Sequence, residues 1–96
     1  MTIDEFTKII GENTRLPYGQ TISYAKENYG KELCLLEETD GEWKIKDMKK
    51  PSELDYETGL RYFMSMVKMS ETKRLPSDRF KNCLKRWQRN IEILNK

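Results

Sequence analysis

An Asp-Gly pair between two strand-like runs is the feature that most constrains the fold of this chain. Residues 32–48 read ELCLLEETDGEWKIKDM, with a continuous apolar run from 33 to 36 before the pair. After the pair, apolar and lysine side chains alternate. An Asp-Gly dipeptide flanked in this way is a strong signal for a β-hairpin with a two-residue turn. The sequence therefore predicts an antiparallel sheet with Asp40 and Gly41 at its turn.

The segment before the hairpin leaves its secondary structure open between strand and helix. In residues 21–27, TISYAKE, Ile22 and Tyr24 alternate with Ser23 and Ala25, which favours a strand. The same segment also fits a helical turn that ends at Gly30. The strand interpretation gives a three-stranded antiparallel meander with one face in water.

Two helices are predicted on either side of the meander. The first begins with Thr2 and Glu5, spaced as in a capping box, and places its apolar residues on one face. The second is capped by Ser52 or Asp55 and runs to about residue 69. The predicted apolar face of this second helix consists of Tyr56, Leu60, Phe63, Met64 and Val67.

A last helix is predicted near the end of the chain, with Ser77 as its N-cap. Its apolar stripe consists of Phe80, Cys83, Leu84, Trp87, Ile91 and Leu94. The order of elements predicts an α+β domain in which an N-terminal helix, the meander and two C-terminal helices form one compact unit over residues 1–96. We expect the two C-terminal helices to pack on one face of the sheet.

Charge divides the chain into an acidic front and a basic tail. Residues 1–67 carry 9 Lys and Arg against 13 Asp and Glu, a net charge of −4, and residues 68–96 carry 9 against 3, a net charge of +6. The candidate partner-binding residues are the acidic hairpin residues Glu37, Glu38, Asp40 and Glu42. The alternative candidates, for binding nucleic acid or an acidic partner, are Arg79, Lys85, Arg86 and Arg89.

The residue types argue against catalysis. The chain has no histidine, and it shows no nucleophile–base pair, glycine-rich phosphate loop or metal-ligand spacing. We therefore expect neither an enzyme nor a cofactor or metal. Cys34 and Cys83 are predicted to be reduced, buried thiols in a cytoplasmic protein. Because no apolar run approaches about 20 residues, no membrane association is expected.

Two segments of the first half are EFTKIIGEN, residues 5–13, and SYAKENYGKELCLLEETDGEWKI, residues 23–45. Together they resemble the opening of small bacterial immunity proteins that neutralise polymorphic toxins. The resemblance implies a non-enzymatic inhibitor or adaptor whose partner is a toxin. A phage or mobile-element inhibitor of a bacterial defence nuclease, such as an anti-CRISPR, is the neighbouring hypothesis. The alternative class is a small nucleic-acid-binding module that uses the basic C-terminal helix.

Overall fold

A computed structural model describes residues 1–14 and 16–72, with side chains as far as Met69. The elements are the helices α1 (Ile3–Asn13) and α2 (Tyr18–Asn28), the strands β1 (Leu33–Thr39) and β2 (Glu42–Lys49), a 3-10 turn η1 (Pro51–Glu53) and the helix α3 (Tyr56–Thr72). The predicted α+β class is confirmed. The predicted last helix lies outside the described residues, so the single domain over 1–96 stays a prediction.

The first helix begins with the predicted capping box. The hydroxyl of Thr2 accepts a hydrogen bond from the amide of Glu5 at 3.1 Å. The carboxylate of Glu5 accepts in return from the amide of Thr2 at 2.8 Å. These two bonds satisfy amides that have no partner inside the helix. The helix then buries Phe6, Ile9 and Ile10 completely.

The prediction of a first strand over residues 21–27 is wrong, because this segment lies inside α2. The sheet of the described residues has two strands, not three. The buried positions of α2 are Thr21, Ala25 and Asn28, which are four and three residues apart as on one helix face. Since two of these residues are polar, the buried face carries no hydrophobic stripe. The helical alternative is therefore the correct one.

Asp55, and not Ser52, caps the third helix. The carboxylate of Asp55 accepts from the amide of Thr58 at 2.7 Å, whereas Ser52 lies within η1. This backbone hydrogen bond is the main reason that the pKa of Asp55 lies below its usual value. The negative charge also lies at the favourable end of the helix dipole.

The predicted apolar face of α3 is partly wrong. Phe63 and Val67 are buried as predicted, but Met64 is 40% exposed. The structure instead buries Tyr62, Met66 and Met69. Because α3 packs against both β1 and α1, its buried arc is wider than a single stripe.

Side chains from both strands of the hairpin complete the core. Leu33, Cys34, Leu36 and Trp43 are each at most 6% exposed. Cys34 is a buried thiol, as predicted, while Cys83 lies outside the described residues. The sheet is thus held in the core as far as Leu36 on β1 and Trp43 on β2, and residues 37–42 between them are exposed.

Candidate functional site: the tip of the hairpin

The two strands are joined by the predicted two-residue turn. Asp40 has a φ of 54° and Gly41 a φ of 81°. Positive φ at both central residues is typical of a type I′ turn, whose twist matches that of paired strands. Asp tolerates this region better than most residues, and Gly adopts it without steric cost. The local sequence therefore fixes a tight turn instead of a loose loop.

The strand register separates the four acidic residues that the sequence grouped together. Glu37 pairs with Lys44, Glu38 with Trp43, and Thr39 with Glu42. Paired residues share a face of the sheet, and successive residues alternate between faces. Glu37 and Glu42 therefore lie on one face and Glu38 lies on the other. The two carboxylates that are adjacent in sequence, Glu37 and Glu38, therefore lie on opposite faces of the sheet.

Two lysines of β2 surround Glu37. Lys44 is its cross-strand partner, and the ammonium of Lys46 lies 3.8 Å from its carboxylate. Lys46 is the extra residue of a β-bulge, because Leu35 pairs with Asp47 and Leu36 with Ile45. Both ion-pair side chains are more than half exposed, so the pair contributes little to stability. Its main effect is to neutralise Glu37 locally.

The other three acidic residues, Glu38, Asp40 and Glu42, lie at the end of the hairpin. All three are exposed, and none belongs to an ion pair within residues 1–14 and 16–69. We call these three residues the tip carboxylates. The structure thus reduces the four predicted acidic candidates to three that are exposed and form no ion pair with the described residues.

The serine Ser65 of α3 closes the outer edge of β1. Its hydroxyl accepts from the amide of Leu36 at 3.0 Å. The same hydroxyl lies 3.2 Å from the carbonyl oxygen of Cys34 and 2.7 Å from that of Tyr62, to either of which it can donate. Such a contact satisfies groups that an edge strand would otherwise expose. No sequence pattern indicates this role, because a serine in a helix is usually a surface residue.

A second contact ties α3 to the other strand. The hydroxyl of Tyr62 donates to the carboxylate of Asp47. This hydrogen bond is the largest cause of a raised pKa of Tyr62, to about 12, and of a lowered pKa of Asp47. Asp47 therefore helps to hold the hairpin against α3 and does not belong to the acidic tip. We call the contacts of Ser65 with β1 and of Tyr62 with Asp47 the anchor of the hairpin. Tyr62 is only 5% exposed, so it is not available as an interface residue.

The remaining predicted site residues lie outside the described part of the chain. These are Arg79, Lys85, Arg86 and Arg89. Within residues 1–14 and 16–69, no group of three or more potential metal ligands comes together. In the same part of the chain, no helix has the length and apolar character needed to cross a membrane.

Comparison with known proteins gives no relative from which a role could be transferred. No protein-family model matches the chain, and no curated protein sequence or solved structure is significantly similar to it.

Proposed function

We propose that this chain is a non-enzymatic protein-binding domain, an inhibitor or adaptor that covers a basic surface of its partner with the hairpin tip. The observation that carries the proposal is the arrangement of Glu38, Asp40 and Glu42. These carboxylates lie around a tight turn, without a cation from the described residues, on a hairpin whose base is buried. A fixed group of negative charges of this kind is suited to steering a basic partner.

The partner that fits this chemistry is a protein with a basic, nucleic-acid-handling surface. A toxin that acts on nucleic acid or a bacterial defence nuclease has such a surface, because it must bind phosphates. The chain would then act as an immunity-type protein or as a phage or mobile-element inhibitor. Inhibition would be steric, since the hairpin would occupy the surface that the nucleic acid needs.

The proposal makes a specific prediction for association kinetics. Exposed complementary charges act mainly on the association rate, and salt screens them over about 10 Å at 0.1 M. Replacing Glu38 and Glu42 by Gln and Asp40 by Asn removes the charges and keeps the side-chain shapes. Asn also tolerates the positive φ at position 40. We expect slower association at low salt and a weaker salt dependence than in the wild type.

A matched control variant separates local from overall charge. Glu27, Glu53 and Glu57 are exposed and distant in sequence from the hairpin, and replacing them by Gln changes the net charge equally. The partner is first captured from host lysate with nuclease treatment and identified by mass spectrometry. Its binding to the three proteins is then measured by surface plasmon resonance over a range of salt concentrations. Equal association rates for the tip and control variants would rule out the tip as the contact.

The alternative function, binding of nucleic acid by the basic tail, rests on the net charge of +6 over residues 68–96. It predicts that neutralising Lys85, Arg86 and Arg89 weakens binding to any nucleic-acid sequence about equally and reduces the salt slope. The capture experiment also tests this alternative. Captured proteins that disappear after nuclease treatment would support the tail, and a stoichiometric protein that remains would support the inhibitor or adaptor function.

A further inference from the structure

The two N-terminal helices form an open groove on a different part of the surface from the hairpin tip. The groove has a volume of about 770 Å³ and is lined by Ile3, Thr7 and Gly11 on α1, by Tyr18 and Ile22 on α2, and by Leu16 between them. Tyr18 is 80% exposed. We call this surface the α1–α2 groove.

The shape of the groove fits a third helix. Its lining residues recur every four positions on each helix, so each wall runs for two helical turns, about 12 Å. The helices pack closely at Gly11, where a Cβ atom would lie 3.4 Å from a methyl carbon of Thr21. Two neighbouring antiparallel helices offer a long, shallow groove that takes the apolar ridge of an amphipathic helix.

The charges along the rim specify the flanks of such a helix. Lys8 already has partners within the chain, because its ammonium lies 4.0 Å from the carboxylate of Glu12 and 5.7 Å from the ring centre of Tyr56. Asp4 and Lys26 also line the groove and belong to no ion pair among the described residues. Gly11 packs against Thr21 at one end of the helix pair, and the hydroxyl of Tyr29 donates to the carbonyl oxygen of Met1 at the other, so α1 and α2 run in opposite directions. Asp4 and Lys26 therefore lie near the same end of the groove on opposite walls.

We infer that the α1–α2 groove binds an amphipathic helix of a partner protein. This helix has an apolar stripe about two turns long, a basic residue on the flank that faces Asp4 and an acidic residue on the flank that faces Lys26. A second copy of this chain fits less well. A symmetric contact centred on Lys8 would place Asp4 of one copy against Glu12 of the other, which have the same charge.

A displayed library of helical peptides, selected on the full chain, provides the probe. We expect selected peptides to share the apolar stripe and the two oppositely charged flanks. Ile22→Glu places a charge in the groove and should weaken the binding of a selected peptide at least about tenfold. Ser23→Glu is the matched control, because Ser23 is the exposed neighbour on the same helix and does not line the groove. It should leave the affinity unchanged.

Two further variants keep the test decisive if Ile22→Glu disturbs folding. Tyr18→Ala removes a side chain that is 80% exposed, and we expect it to weaken binding several-fold. Lys26→Glu should also weaken binding, and exchanging the facing acidic residue of the peptide for Lys should restore it. The inference is overturned if selection yields no amphipathic helix, or if Tyr18→Ala and Lys26→Glu bind as the wild type does.

The proposed roles of the groove and of the hairpin tip can be tested independently. Replacing the tip carboxylates by their amides should leave peptide binding unchanged. Peptide binding should also depend only weakly on salt, because apolar contact supplies most of the affinity. Loss of peptide binding in the tip variant would show that the peptide binds the hairpin and would contradict the inference that it binds the groove.

Discussion

Replacing Ser65 by Ala tests whether α3 holds the hairpin by its backbone edge. The substitution removes one oxygen and adds no bulk to the helix. In the wild type this oxygen accepts from the amide of Leu36 at 3.0 Å. Leu36 is 6% exposed, so water has little access to an amide that loses its partner. The variant therefore leaves a nearly buried donor unsatisfied.

The expected cost follows from two opposing effects. An unsatisfied buried amide costs about 1 to 3 kcal/mol. Ala is a better helix former than Ser, which returns about 0.5 kcal/mol. We therefore expect a net loss of about 0.5 to 2.5 kcal/mol in the free energy of unfolding. For a chain of 96 residues, each kcal/mol lowers the melting temperature by roughly 4 to 8 °C.

Urea unfolding of the Ser65→Ala variant measures this loss, and Ser23→Ala is its control. The hydroxyl of Ser23 donates to the carbonyl oxygen of Gly19 at 3.2 Å within α2 and touches no strand. Its replacement changes the same atoms and should alter stability by less than about 0.5 kcal/mol. Amide hydrogen exchange at Leu36 should also accelerate in the Ser65 variant. Equal stability of the two variants would show that the contact between Ser65 and β1 contributes nothing.

Two further predictions concern the anchor and the turn. The pKa of Tyr62 is raised from 10 to about 12, so the neutral phenol favours the folded state. This contribution is complete below pH 10 and is lost as the pH rises to about 12. In Tyr62→Phe, the free energy of unfolding should therefore fall less steeply between pH 10 and 12 than in the wild type, as measured by unfolding followed by circular dichroism. If both proteins lose stability equally over this range, the contact between Tyr62 and Asp47 is contradicted. Gly41→Ala should lower the free energy of unfolding by about 1 to 2 kcal/mol, because φ at this position is 81°. Gly30→Ala is its control: a Cβ atom at Gly30 would meet open space, so this substitution should change stability by less than about 0.5 kcal/mol.

The sequence predicted the elements whose signals are local. The capping box of Thr2 and Glu5 and the Asp40–Gly41 turn each depend on residues only a few positions apart. The strand prediction over 21–27 failed because alternation over so few residues also occurs by chance in a helix. The true core face of α2 consists of Thr21, Ala25 and Asn28, which have no hydrophobic signal. This face of α2 can be recognised only from the packing of α2 against α1.

The candidate site was predictable in composition but not in arrangement. The sequence placed four carboxylates at the hairpin, and alternation along β1 already separated Glu37 from Glu38. The bulge at Lys46, however, depends on how two strands align, and it is Lys46 that neutralises Glu37. The exposure of Met64 and the burial of Met66 likewise depend on two neighbours of α3 at once. Such features are properties of pairs of elements, and single-segment patterns do not contain them.

The anchoring of the hairpin matters for the proposed function as well as for stability. A two-stranded hairpin alone is marginally stable in water, so a free hairpin would lose much conformational freedom on binding. Ser65 on the edge of β1 and Tyr62 on Asp47 order the strands before any partner arrives. Ser65→Ala keeps every tip charge but loosens this order. If the tip binds the partner, this variant should dissociate faster with an unchanged association rate, whereas neutralising the tip carboxylates should mainly slow association. The same kinetic effect from both variants would contradict the division of roles between anchor and charge.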